Sequence, residues 1–394
     1  MGAERMPDGG RAAEPGDDAW GTSRRSRLFG GPFLVHADLH NHSWFSDGAG
    51  DPARAFPSLR AAGLDVAALT DHSRWSGVFL GLVKAPGPAG IDRRDWARAG
   101  ELADRADRPG EFVALRGFEW SHGLHGHMNV WGSRDWTEPL RTFGPAMGTF
   151  WRWLERREGL VSFNHPGTGG RLRFGHFGYR PAMAPRLVGL EMFNKTNDYL
   201  FQDTDRGGLS PLVECLDAGW RPGLLGVTDE HGADWGRPDG KGRAGLYVHE
   251  LTRAGVLEAL AARRVFASRV KGLRLDAAVD GVRMGGELRL DGARPVRVEL
   301  DLDRGPAWRG RPLHVQVLRP GRPLPALAAT VELRMPPPGG PPAAFELRLD
   351  PAAGPWMVLR VCDPAGPPDP RARAPLADAG RAIAYASPFW LRAP

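Results

Sequence analysis

A chain of 394 residues, 42% hydrophobic and 25% charged, is long enough for two domains and a sizeable core. Its formal net charge of +6 is carried mostly by arginine and does not by itself separate an anion-binding surface from compositional bias. Two distant cysteines, Cys215 and Cys362, exclude a disulfide framework and a thiolate zinc site, and no run is long and apolar enough to span a membrane.

Residues 1–31 are polar and rich in Gly, Asp and Arg, which predicts disorder. The arginines of Ser23-Arg24-Arg25-Ser26 are followed by Gly30-Gly31-Pro32 and a strand rather than an apolar segment, so an export signal is set aside and a cytoplasmic location expected. Phe33 to Leu39 predicts a buried strand. Asp51-Pro52 opens a helix with Ala55, Phe56 and Leu59 on its apolar face. Further strands are predicted at Val66 to Leu69, Phe112 to Phe118, Leu160 to Phe163, Leu187 to Met192, Leu224 to Val227 and Val265 to Ala267. Helices are predicted at 91–106, 150–157, 209–218 and 253–263.

Alternating strands and helices predict an α/β fold with a parallel sheet, over residues 32–271. Seven strands, each with polar residues just past its C-terminal end, predict a barrel, because that rim is where barrels collect reactive groups. From residue 272 to 394 short alternating runs separated by Pro-Gly turns predict a small all-β, sandwich-like domain with a structural, oligomer-forming or lid role.

Ten of the twelve histidines fall before residue 232. They cluster with acids at strand ends: Asp38 with His40 and His42; Asp71 with His72; Glu119 with His122, His125 and His127; Asp229 with His231. One such pair is usually a packed or solvated one. Four clusters, all at strand ends, point to metal coordination by imidazole and carboxylate, the donors suited to zinc, manganese or iron.

These pieces also form an order. His40 and His42 with Ser46-Asp47-Gly48, then Thr70-Asp71-His72, Glu119, Gly126-His127, Asn164-His165-Pro166, and Asp229 with His231 resemble the PHP (polymerase and histidinol phosphatase) superfamily over residues 33–270. The stretches 245–253 and 263–267 resemble its CehA/McbA-type metallohydrolase branch. The resemblance implies a distorted seven-stranded barrel holding two or three divalent ions. His40, His42, Glu119 and Asp229 would hold one. Glu119 would bridge to a second with His127 and His165. Asp47, His72 and His231 would hold a third. His122 and His125 are rivals to His127, which is preferred because the apolar run Met128 to Trp131 can anchor it on a strand.

Metal-activated water makes this a hydrolase, with Glu119, Asp229 and Asp71 as the catalytic carboxylates. Asp71 reads equally as an orienter or proton shuttle and as a helix cap. Arg74 and Lys195 are expected to contact substrate, and Arg237 reads better as a surface charge. Trp75, Trp120 and Trp235 are candidates for pocket walls. A phosphoesterase acting on small phosphate esters or on nucleotide or oligonucleotide ends is expected. A carboxylic ester, amide or carbamate hydrolase and a non-catalytic metal-binding module are the alternatives. A homodimer is left open, and no nucleic-acid-binding motif is present.

Overall fold

The computed structural model describes residues 17–76, 90–139, 146–167, 172–237, 239–337 and 339–393. The first part contains β1 (Phe33–Asp38), α1 (Pro52–Ala61), β2 (Val66–Leu69), β3 (His72–Ser76), α2 (Arg93–Ala106), β4 (Val113–His122), β5 (Gly126–Trp131) and α3 (Ala146–Glu155). It continues with β6 (Leu160–Asn164), the single turn α4 (Phe174–Phe177), β7 (Leu187–Asn194), β8 (Asn197–Asp198), α5 (Pro211–Asp217), β9 (Gly223–Val227), β10 (Arg243–Val248), α6 (Arg253–Ala261) and β11 (Val265–Ser268). No helix among the described residues is long and apolar enough to cross a membrane.

Local chemistry explains the helix starts. Asp51 accepts from the Ala53 amide ahead of Pro52, and Asp92 and Asp95 close a reciprocal capping box at α2. Both helices bury one apolar face, Ala55, Phe56 and Leu59 on α1 and Trp96, Leu102 and Ala103 on α2.

The seven runs that read as strands are all strands. Parallel pairs join β1 to β2, β2 to β4, β6 to β7 and β7 to β9. Two antiparallel strands interrupt the alternation. β5 sits between β4 and β6, and β10 between β1 and β11. β9 in turn lies against β11, where the Ser387 hydroxyl accepts from the Leu224 amide (3.1 Å) and donates to the Val265 carbonyl.

After β11 the chain is almost entirely β: β12 (Arg274–Val279), β13 (Val282–Arg283), β14 (Glu287–Arg289), β15 (Arg294–Asp303), β16 (Pro312–Arg319), β17 (Ala326–Arg334), β18 (Ala343–Leu349), β19 (Trp356–Asp363), β20 (Arg381–Ala386) and β21 (Phe389–Arg392). A four-stranded antiparallel sheet, β13-β12-β15-β18, faces the strands β17-β16-β19-β20 across a core that includes Leu275, Val298, Val315 and Leu359. The boundary expected at residue 272 is bridged. β11 pairs with β20 in the register Phe266↔Ala386, and Leu34, Tyr247 and Phe266 join the same core.

The expectation of disorder over 1–31 is corrected for residues 17–31, which bind along the surface of the fold. Asp18 pairs with His36 at 2.8 Å, and Arg27 is held by Asp301. Arg24 grips Asp65 with two parallel bonds of 2.7 and 2.8 Å. Composition misled here because these arginines are not solvated; they answer carboxylates far along the chain. Replacing Arg24 by Ala leaves a largely buried Asp65 without its cation. Urea unfolding should show a loss of about 1–3 kcal/mol. A loss under about 0.5 kcal/mol, the range of an ordinary surface change, would mean that this pair does not hold the segment down.

Candidate metal centre

All nine side chains expected as ligands meet at one rim. The strands bring them there by polarity. His40 and His42 follow β1, His72 follows β2, His165 follows β6 and Asp229 follows β9, all at C-terminal ends. Glu119 lies near the end of β4, in register with His72 of β3. His127 stands at the start of β5, and because β5 is antiparallel its start reaches the same rim.

The donors form four overlapping groups: His42, Asp47, His72 and His231; His40, His42 and Asp229; His40, Glu119 and His165; His72, Glu119 and His127. Glu119 is the hub. Its Oε1 lies 3.2 Å from His40 Nε2, 3.0 Å from His165 Nε2 and 3.4 Å from His127 Nδ1. Its Oε2 lies 2.7 Å from His72 Nδ1. Asp229 Oδ1 is 3.2 Å from His42 Nε2, and Asp47 Oδ2 is 3.4 Å from both His72 Nε2 and His231 Nε2. His127 is therefore in the cluster. Its rivals are not: His122 and His125 pack on each other at 4.8 Å, and His125 Nδ1 turns to the Leu172 carbonyl.

The donor set fits divalent cations. Glu119 Oε2, His127 Nδ1 and Asp229 Oδ1 are buried without a well-formed hydrogen bond, although histidine or carboxylate atoms crowd around each. Such atoms are costly unless a cation completes them. All the donors are nitrogen or oxygen, the pattern of zinc, manganese or iron. The depth is graded. Glu119, His40 and His42 are fully buried, whereas the Asp47 and His231 side chains are 50% and 30% exposed, so one side of the cluster opens to solvent.

Protonation follows the same crowding. Burial alone would raise Glu119 and Asp229, but the surrounding histidines outweigh it and hold both well below the carboxylate range. His72 overcomes its own burial through Glu119 and Asp47 and is pushed up to about 10. Burial and the neighbouring His72 push His42 down to about 3.

The backbone beneath these side chains is pinned. The indoles of Trp131 and Trp235 donate to the carbonyls of Leu39 (3.0 Å) and His42 (3.1 Å). Thr228 Oγ1 binds Asp38, and the His42 amide donates to the Glu230 carbonyl. Gly48 closes the turn after Asp47. A Cβ there would come 2.7 Å from the Ser43 nitrogen, so no larger residue fits. His165, Lys195 and Asp229 all adopt positive φ, an uncommon conformation that in each case directs a rim side chain.

Several expected roles change. Asp71 caps no helix, because the strand β3 follows it. It accepts from the Ser43 amide, the Ser43 hydroxyl and the Ser46 hydroxyl at 2.7–2.9 Å, and so holds the turn that carries Asp47. Burial pushes its carboxyl up to about 6. These contacts place it where it positions the Ser43–Asp47 turn. Trp120 and Trp235 are buried in packing. The exposed aromatic near the rim is instead Trp44, 55% accessible and two residues past His42. Lys195 does reach the rim, with Nζ 3.3 Å from Asp229 Oδ2. Arg237 is exposed. The side chains of Arg74 and Trp75 lie outside the described residues.

Glu191 on β7 was missed. It accepts from His40 Nδ1 (2.8 Å), from the His165 amide (2.6 Å) and from Asn194 (2.9 Å). With Nδ1–H committed to Glu191, His40 presents the lone pair of Nε2 to the cluster. A fully buried Glu inside the apolar run Leu187–Met192 was the available signal. Asn164 does for Glu119 what Glu191 does for His40, donating to Oε1 at 2.8 Å.

No protein-family model matches the chain, and no curated protein matches it. Solved structures are similar at low levels. A two-domain protein of Bacteroides vulgatus containing a predicted PHP-like metal-dependent phosphoesterase is 16% identical, with a TM-score of 0.46 over 98% of this chain and 100% of that one. A protein of Bifidobacterium adolescentis assigned as a metal-dependent phosphoesterase is 15% identical, with a TM-score of 0.31 over 52% of this chain and 90% of that one. An amidohydrolase of Chromobacterium violaceum is 17% identical, with a TM-score of 0.29 over 59% of this chain and 97% of that one. At these levels no residue role is transferred from them.

If Glu191 fixes His40, Glu191→Gln should weaken metal binding about 10–100-fold in a chelator competition, with an unchanged circular dichroism spectrum. Affinity within about twofold of wild type would show that His40 needs no such partner.

Proposed function

We propose that this chain is a multinuclear metal-dependent hydrolase of the PHP superfamily and that its preferred substrates are phosphate esters. On this reading the ring of strands is a distorted seven-stranded barrel with β5 and β10 inserted, and residues 272–394 are an accompanying β unit that carries no catalytic group. The observation that carries the proposal is the convergence of nine nitrogen- and oxygen-donor side chains on one rim, with Glu119 shared among the groups.

His40, His42, Glu119 and Asp229 would hold one ion, Glu119, His127 and His165 a second, and Asp47, His72 and His231 a third. Bound there, manganese, iron or zinc would supply a water of lowered pKa as nucleophile and polarise the bond under attack. The open side at Asp47 and His231 favours catalysis over a structural role, because structural sites are closed by protein ligands on all sides.

The chain's own residues set the substrate preference. Lys195 extends a half-exposed ammonium over Asp229, where it can bind a phosphoryl oxygen and neutralise charge as the bond breaks. Burial of Trp120 and Trp235 removes two of the three tryptophans that would have shaped an apolar slot for neutral esters.

With manganese or zinc present, kcat/KM for p-nitrophenyl phosphate should exceed that for p-nitrophenyl acetate. Lys195→Ala should lower the phosphate value about 10-fold or more, the loss of one charge-assisted hydrogen bond of about 1.5–3 kcal/mol. The acetate value should hardly move. Preference for the acetate, with Lys195→Ala silent on the phosphate, would replace the phosphoesterase reading by the neutral-ester one.

A further inference from the structure

A second concave site lies away from the histidine cluster. It is a cavity of about 290 Å³ between the loop before β10, the segment that follows β11 and the strands of the C-terminal part. Four cations line it: Arg269, Lys271, Arg304 and Arg381. Two acids line it as well, but both are already engaged. Asp239 pairs with Lys271 at 3.3 Å, and Asp363 pairs with Arg311 at 2.6 Å.

Three guanidinium groups are left over. Arg269 is only 7% exposed. It donates from one nitrogen to the Thr196 carbonyl (2.9 Å) and lies 4.3 Å over the Phe193 ring, and its Nε is buried without a partner. Among the described residues Arg304 has no hydrogen-bonding or ion-pair partner, and its Nε is also buried. The Arg381 guanidinium likewise has no acceptor among the described residues.

Burial pulls Arg269 and Arg304 below the usual arginine range, although the charges of Asp198 near Arg269 and of Asp18 and Asp239 near Arg304 oppose it. Fifteen donors on three guanidinium groups, with one protein acceptor among the described residues, form an arrangement that folding alone does not favour. Guanidinium matches phosphate oxygens in planar, two-pronged geometry. Trp308, on the cavity wall, offers apolar surface for an organic portion.

We propose that this cavity is a second anion site that takes a small phosphate-bearing molecule through Arg269, Arg304 and Arg381. The site is independent of the metal centre and does not rest on the function proposed above.

Inorganic phosphate titrated calorimetrically into the full-length protein should show a saturable site. In Arg304→Gln/Arg381→Gln its affinity should fall about 100-fold, two charged hydrogen-bond contacts of about 1.4 kcal/mol each. Turnover of p-nitrophenyl phosphate at saturating substrate should be unchanged. If the double variant fails to fold, Arg304→Gln alone should give about a tenfold loss. The same site should persist in Asp229→Asn, whose metal centre is disabled. An isotherm unaltered by the arginine substitutions, or phosphate binding that vanishes entirely in Asp229→Asn, would overturn the proposal.

Discussion

Glu119 sets the central constraint. It is completely buried, and the rings of five histidines come within 4 Å of its two oxygens. A carboxylate cannot stay ionised at such depth without compensating positive charge, and neutral imidazoles cannot all donate to it at once. Protonated histidines can supply the charge, but they then repel one another at ring separations such as the 4.1 Å between His42 and His231. Divalent cations resolve both problems. Bound there, they would neutralise Glu119, Asp229 and Asp47 and let the imidazoles act as neutral lone-pair donors.

Much of the surrounding architecture serves that arrangement. The antiparallel insertion of β5 delivers His127 to a rim otherwise reached only by the ends of parallel strands. Trp131 and Trp235 spend their indole N–H groups on the carbonyls of Leu39 and His42, which pins the backbone on either side of His40. Glu191, Asn164 and Asp71 form a layer one bond further out. Each is buried and each orients a ligand or the turn that carries one. The C-terminal strands enter through Ser387, whose hydroxyl ties the start of β9 to the start of β11, at the end of these strands away from Asp229. Among the described residues the β part contributes none of the clustered side chains.

The side chains that converge on this rim were legible in the sequence because histidines and acids concentrate where apolar runs end. The sequence also showed the strands, whose unbroken apolar character marks burial on both faces. The rest was hidden for physical reasons. β10 carries Gly245, and β3 begins with a ligand, so neither has a strand-like pattern. Asp71 read equally as an orienter or proton shuttle and as a helix cap, because a capping aspartate and a turn-holding aspartate are the same residue in the same place; the serines folded back onto it show the turn-holding contacts. Glu191 was masked by its apolar neighbours. The arginine segment before β1 read as solvated because its partners, Asp65, Asp276 and Asp301, are distant in the chain. Arg269, Arg304 and Arg381 likewise come together only through tertiary contacts, and no spacing announces them.

Anomalous X-ray diffraction from crystals of the manganese-loaded protein tests the metal centre most directly. At least two peaks should lie within the cluster, one of them coordinated by His40, His42 and Asp229 and another by His127 and His165, with Glu119 between them. A single peak, or none after reconstitution with manganese, iron and zinc in turn, would contradict a multinuclear centre and leave Glu119 to be compensated by protons alone.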